Sequence, residues 1–131
     1  MAAINWSDLL GWTSEQLKEI RFAGFSFLKE GKYDKAPLFF EGLIILAPDS
    51  AYDHQTLGAL YLQLNALPKA LDTLNRALQL DPAHEPTQLN KVKTLLLMGK
   101  KDEAFQLAIP LSKSLNTVIS GDASALLLAY A

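Results

Sequence analysis

Apolar residues along this chain recur at helical spacing, and turn formers interrupt them at regular intervals. Thr13-Ser14-Glu15-Gln16 opens the first long helix as a capping box, with Thr13 capping the first amides and Gln16 reaching back. That helix is expected to run to about Glu30 and stop at Gly31. A second covers about Asp34 to Leu46, with Leu38, Phe39, Phe40, Leu43, Ile44 and Leu46 forming a broad apolar face. Pro37 falls in its first turn, where a missing amide costs little. Helices over 51–64 and 68–80 follow, with Pro68 at the first helical position. Two more cover 85–98 and about 102–115. Pro110 lies well past the first turn of the latter and predicts a kink or break near Ile109. A short helix from about Asp122 to Tyr130, capped by Asp122 or Ser120, would pack on the last hairpin through Leu126, Leu127 and Tyr130.

The interruptions share one register. Ala36, Ala70 and Ala104 stand thirty-four residues apart, as do Gly31, Asn65 and Gly99. Gly24 and Gly58 keep the same step, and so do Pro48 and Pro82. A period of this length marks an all-α array of stacked helical hairpins, in which no hairpin buries its apolar face alone. Glycine in the first helix and alanine in the second let the two helices of a hairpin approach closely. Phe27, Tyr61, Leu95, Phe40 and Leu74 fill the space beside them. The chain therefore divides into an apolar extension (1–13), three hairpins (14–50, 51–84 and 85–118) and a capping helix (119–131), expected to form one domain. Arrays of this kind serve as surfaces for holding other proteins more often than as sites of chemistry.

The pattern resembles the tetratricopeptide repeat. Its first copy reads Ala23-Gly24, Phe27, Gly31, Tyr33, Ala36, Phe40, Leu43 and Pro48. Its second reads Leu57-Gly58, Tyr61, Ala70, Leu74, Ala77 and Pro82. The third is degenerate, with Val92 for the glycine, Leu95 for the aromatic and Ala108 for the phenylalanine. The resemblance implies a tetratricopeptide-repeat superhelix of three hairpins. A narrower likeness is to the class II chaperones of bacterial type III secretion, which hold translocator proteins before export. Gly31-Lys32-Tyr33-Asp34-Lys35-Ala36, Leu57-Gly58-Ala59, Asp81-Pro82-Ala83-His84-Glu85-Pro86 and Leu95-Leu96-Leu97-Met98-Gly99 carry it. Asn90-Lys91-Val92 and Pro110 depart from that pattern. The likeness implies a protein client and a bacterial cytoplasmic location. A structural adaptor within a larger complex is the alternative.

In such arrays the first helices line a concave groove. Helical stepping brings Lys18, Arg21, Phe25, Leu28 and Lys29 to it from the first repeat. The second repeat adds Tyr52, Gln55, Ala59, Leu62 and Gln63, and the third adds Leu89, Lys93, Leu96 and Leu97. This mostly apolar set suits an extended client with hydrophobic anchors, with Arg21 or Lys93 meeting its acidic groups. Phe25, Leu28 and Leu96 have a competing role, packing against the terminal segments. A lysine, asparagine and arginine clamp for acidic tails is not expected, because Phe25, Thr56 and Pro86 stand where it needs polar groups. Ile4, Trp6, Leu9, Leu10 and Trp12 either cap the first hairpin or pair with a second copy, since tryptophan favours interfaces.

Charge and composition narrow the field. The chain has 131 residues, a net charge of −2, no cysteine and no basic run, which disfavours a nucleic-acid partner. Without cysteine there are no disulfides, no thiolate chemistry and none of the usual structural zinc sites. Met1 to Leu10 lacks a basic stretch and contains Asp8, a poor secretory signal. Apolar runs fall short of the roughly 20 residues that span a bilayer. His54 is expected to fill core or groove, and His84 to be solvated in a turn. Neither has partners at metal-ligand spacing, and Gly31-Lys32 and Gly99-Lys100 lack the rest of a phosphate loop. Neither an enzyme nor a cofactor or metal is expected.

Overall fold

The computed structural model describes residues 4–131 and contains eight α-helices. A short helix α1 (Trp6–Leu9) precedes three helical hairpins. These are α2 (Ser14–Lys29) with α3 (Ala36–Leu46), α4 (Ala51–Gln63) with α5 (Leu67–Leu80), and α6 (Glu85–Leu97) with α7 (Lys101–Leu111). Helix α8 (Thr117–Ala129) packs on α6 and α7.

The turns form as the register predicts. Gly31, Asn65 and Gly99 all take positive φ, at 75°, 58° and 77°. Each closes its helix with the same pair of bonds. The amides of Gly31 and Lys32 bond to the carbonyls of Leu28 and Phe27, and the other two turns repeat this one register on. These are Schellman endings, which satisfy carbonyls that the helix itself leaves unpaired. At the other end of α2, the Thr13 hydroxyl accepts from the Gln16 amide at 3.2 Å while Gln16 accepts from the Thr13 amide at 2.9 Å.

Within each of the first two hairpins the helices cross on the glycine. A Cβ added to Gly24 would lie 2.7 Å from Phe40 Cε2, and one added to Gly58 would lie 2.6 Å from Leu74 Cδ2. The same step leads to Val92 and Ala108, both fully buried in one core. The bulk has changed sides there: small against large in the first two hairpins, large against small in the third. The core has two lobes. One gathers Ala36, Phe40, Leu43, Leu57 and Leu60, and the other gathers residues of α6, α7 and α8 around Val92 and Leu95.

Three elements differ from the sequence expectation. Helix α5 starts at Leu67, so Pro68 is its second residue. Helix α7 runs through Ile109 and Pro110 and ends at Leu111, where the expectation was about Leu115. The proline sits in the last turn, and the Ser112 hydroxyl closes the end by donating to Ile109 O at 2.6 Å. Helix α8 begins five residues before Asp122. Asn116 caps it, its Oδ1 accepting from the amides of Val118 and Ile119. Asparagine thus replaces the proline of Pro48 and Pro82 and starts a helix of 13 residues, as long as α4 and α6. Helix α8 takes the place that the first helix of a fourth repeat would hold.

The joints between hairpins are unlike one another. The Tyr61 hydroxyl donates to Glu41 Oε1 at 2.5 Å, tying α4 to α3. Burial and that bond push the phenol well above its usual pKa, so it stays a donor. One repeat later the same positions hold Leu95 and Asn75. Leucine offers no donor, and Asn75 Oδ1 is buried without a hydrogen-bond partner.

The exchanged bulk at the third crossing is testable by a double-mutant cycle. Ala108→Leu alone should destabilise by about 1–3 kcal/mol through overpacking against Val92. Adding Val92→Gly should recover a large part of that loss, read from urea unfolding followed by circular dichroism. Simple additivity of the two changes would show that these side chains do not share a crossing.

Candidate functional site

The inner face is built by the first helix of each hairpin together with α8. Helix α4 packs directly on α6, and α6 on α8. Helices α2 and α4 stand farther apart and meet through side chains. Arg21 Nε and Nη2 donate to the two carboxylate oxygens of Asp53 at 2.6 and 2.7 Å. Phe25 lies edge-on to Phe40, with ring centroids 5.4 Å apart, and reaches Tyr52 at 5.9 Å. Asp53 is fully buried in the first turn of α4, where the positive end of the helix favours a carboxylate. The bidentate bond in turn holds the guanidinium pKa above its ordinary value.

Two cavities open on this face. The first, about 420 Å³, lies between α4 and α6 against the end of α2. Leu28, Tyr52, Gln55, Ala59 and Gln63 line it, as expected from the spacing, together with Thr56, Leu60, His84, Pro86, Thr87 and Asn90. No charged side chain lines it. The second, about 300 Å³, lies between α4, α6 and α8. Leu62, Lys93, Leu96 and Leu97 line it with Leu126 and Tyr130 of the C-terminal segment.

Five of the expected groove residues lie elsewhere. Lys18 is exposed and pairs with Glu15 at 3.3 Å, and Lys29 is exposed at the end of α2. Phe25 joins the core through Phe40. Leu89 is 4% exposed and belongs to the core shared by α6, α7 and α8. At that register the first two repeats carry Arg21 and Gln55, while the third carries a leucine that turns inward. Arg21, expected to receive a client carboxylate, already holds Asp53 of its own chain.

Both histidines are structural. His54 is buried, with Nε2 3.0 Å from Pro48 O, as core filling requires. His84 is not a free, solvated side chain. It caps α6, its Nδ1 accepting from the Thr87 amide at 3.3 Å with the Thr87 hydroxyl 2.7 Å away. Among the described residues no three His, Asp or Glu side chains gather as a metal site, and no helix is long and apolar enough to cross a membrane.

Sequence reasoning missed Thr56 and Asn90 as lining residues, although they stand one repeat apart and their common register was visible. Leu126 and Tyr130 were expected to pack on the last hairpin but not to face α4, and they line the second cavity beside Leu62. The N-terminal cluster folds against the turn between α3 and α4. Ile4, Asn5 and Ser7 border a third cavity there with Leu46 to Ser50 and Arg76. Ile4, Leu9 and Leu10 remain 56%, 66% and 60% exposed, with Trp6 and Trp12 less so.

This arrangement of hairpins and inner face has close structural counterparts. The chain has the fold of type III secretion translocator chaperones. It superimposes on the Yersinia enterocolitica translocator chaperone SycD with a TM-score of 0.79, covering 98% of this chain and 99% of that one at 19% identity. SycD solved with a peptide of the translocator YopD gives 0.76 at 21% identity, over 91% of this chain and 98% of that one. At such identity the likeness establishes the fold. No known family model matches the sequence. Among curated proteins, anaphase-promoting complex subunit 3 of Schizosaccharomyces pombe is 30% identical over 82 residues, 63% of this chain. The matched stretch is only 12% of that much longer protein.

The Arg21–Asp53 pair can be probed directly. Arg21→Ala leaves a buried carboxylate without its partner and should cost about 3–5 kcal/mol in urea unfolding. Arg21→Lys should recover only part of this, because an ammonium cannot form the bidentate fork. A loss below about 1 kcal/mol for Arg21→Ala would mean that the pair behaves as a solvated surface bridge.

Proposed function

We propose that this protein is a chaperone that holds an extended apolar segment of a secreted client on its inner face, as part of type III secretion in a bacterial cytoplasm. The observation that carries the reading is the run of two cavities along α4, α6 and α8, apolar in floor and edged with amide and hydroxyl groups. An extended client would seat aliphatic side chains in the cavities, while Gln55, Gln63 and Asn90 satisfy its backbone groups. Holding that segment out of water shields it from aggregation, and the client orders as it binds. SycD, similar in fold over its whole length, has been solved with a translocator peptide, which supports the same use of the fold here. The role is binding, and no reaction is assigned.

Co-purification from the native cell followed by mass spectrometry tests this reading. The expected partner is a secreted protein, lost from Leu62→Glu and Leu97→Glu while helical circular dichroism is kept. Leu97 is 54% exposed, so a charge there is compatible with folding. The second reading is a structural adaptor, favoured by the identity to an anaphase-promoting complex subunit. A stoichiometric partner that stays bound to both variants would select it and end the chaperone reading.

The exposed Ile4, Leu9 and Leu10 support a homodimer formed through the N-terminal segment. Leu9→Lys with Leu10→Lys should convert the dimer to a monomer in sedimentation equilibrium. A wild-type chain that sediments as a monomer at micromolar concentration would leave these residues as a local cap.

A further inference from the structure

We propose that the cavity between α4, α6 and α8 recognises a carboxylate as well as an aliphatic side chain, with Lys93 as the residue that reads it. This deepens the client-binding reading and rests on it. The cavity is lined by Leu62, Lys93, Leu96, Leu97, Leu126 and Tyr130, so five of its six walls are apolar or aromatic. Lys93 is the single charged group among them. It is half-buried and forms no ion pair with any described residue. No carboxylate of the described residues lines the cavity. Lys93 thus borders five apolar walls with no counter-charge among the described residues. A ligand carboxylate supplies that counter-charge in surroundings where a charge-assisted hydrogen bond is stronger than in water.

Geometry sets the spacing. Lys93, Leu96 and Leu97 share one face of α6. In an extended ligand, side chains two residues apart point the same way. A leucine seated in the cavity therefore brings the carboxylate of the residue two positions away to the same wall. The recognised unit is aliphatic-any-acidic. The first cavity has no charged lining, so this selectivity belongs to the second alone.

Titration of the isotope-labelled full chain with three synthetic peptides, followed by amide NMR, tests the proposal. One peptide is blocked at both ends with Leu-Ala-Glu at its centre, one replaces Glu by Gln, and one ends in a free Leu carboxylate. The Glu peptide should shift the amides of Leu97 and Leu126 and bind about tenfold more tightly than the Gln peptide, as one added charge-assisted bond implies. Lys93→Met should erase that ratio, Lys93→Arg should keep it, and raised salt should shrink it. A free-Leu peptide that binds best overturns the aliphatic-any-acidic unit and assigns the cavity to a chain end. Equal binding of the Glu and Gln peptides at α6 and α8 overturns carboxylate recognition while leaving the client-binding reading intact. Shifts confined to the α4–α6 cavity, or none at all, also overturn it. The co-purification experiment judges the broader reading separately.

Discussion

The whole array depends on how closely the two helices of a hairpin can cross. At Gly24 and Gly58 the opposing side chain occupies the space where a Cβ would be. That approach sets the interhelical distance, and the distance sets how each hairpin stacks on the next. The third hairpin meets the same constraint with Val92 and Ala108, both fully buried. What the repeat preserves is the combined volume at the crossing, and either helix can supply it. Cores tolerate exchanges of this kind when total volume is kept.

Tight crossings bury the faces that helices of one hairpin turn toward each other and leave the inner edge of each first helix to face outward. Electrostatics then decides what that edge can do. Asp53 is buried at the start of α4, a position that demands a cation, and Arg21 meets the demand across the gap from α2. The pair removes the arginine from the surface available to a ligand. Lys18 and Lys29 lie outside the cavities. The inner face is therefore almost uncharged, a surface suited to aliphatic anchors and backbone groups, with its one cationic contact at Lys93.

Much of this was legible in the sequence because it is local. Turn positions at Gly31, Asn65 and Gly99, the capping box at Thr13 and the glycine crossings each follow from a few neighbouring residues and a fixed period. The inner-face residues of α4 and the later part of α6 were legible for the same reason, since Ala59 and Lys93, Leu62 and Leu96, and Gln63 and Leu97 pair by register. What was not legible depends on partners distant in sequence. Nothing near Arg21 shows that Asp53 will claim it from the next repeat. Leu89 shares a register with Arg21 and Gln55, yet an apolar side chain there follows the core. Asn116 replaced an expected proline, and its ability to start a helix moved α8 far enough to complete the second cavity.

The joints between hairpins carry different physics, and this bears on where the inner face can yield. In a stacked array, stability is close to a sum of hairpin terms and nearest-neighbour joints. Helix α6 rests directly on α4 and on α8, and leucines of α6 and α8 share one core, a contact that tolerates small shifts without losing its energy. Helices α2 and α4 are joined by a bidentate ion pair and an aromatic edge, and α3 and α4 by the phenol of Tyr61 on Glu41. Bonds of that kind have little value outside their own geometry, and a buried ion pair defines a position more than it adds stability. The first hairpin shares an apolar lobe with α4 through Phe40, Leu43, Leu57 and Leu60, and these polar contacts fix its angle there, while α6, α7 and α8 form the second lobe. Leu28, the one residue of α2 that lines the first cavity, packs against the lobe that α3 shares with α4. Arg21 and Asp53 do not line that cavity, yet they join the two helices that carry Leu28 and its α4 wall.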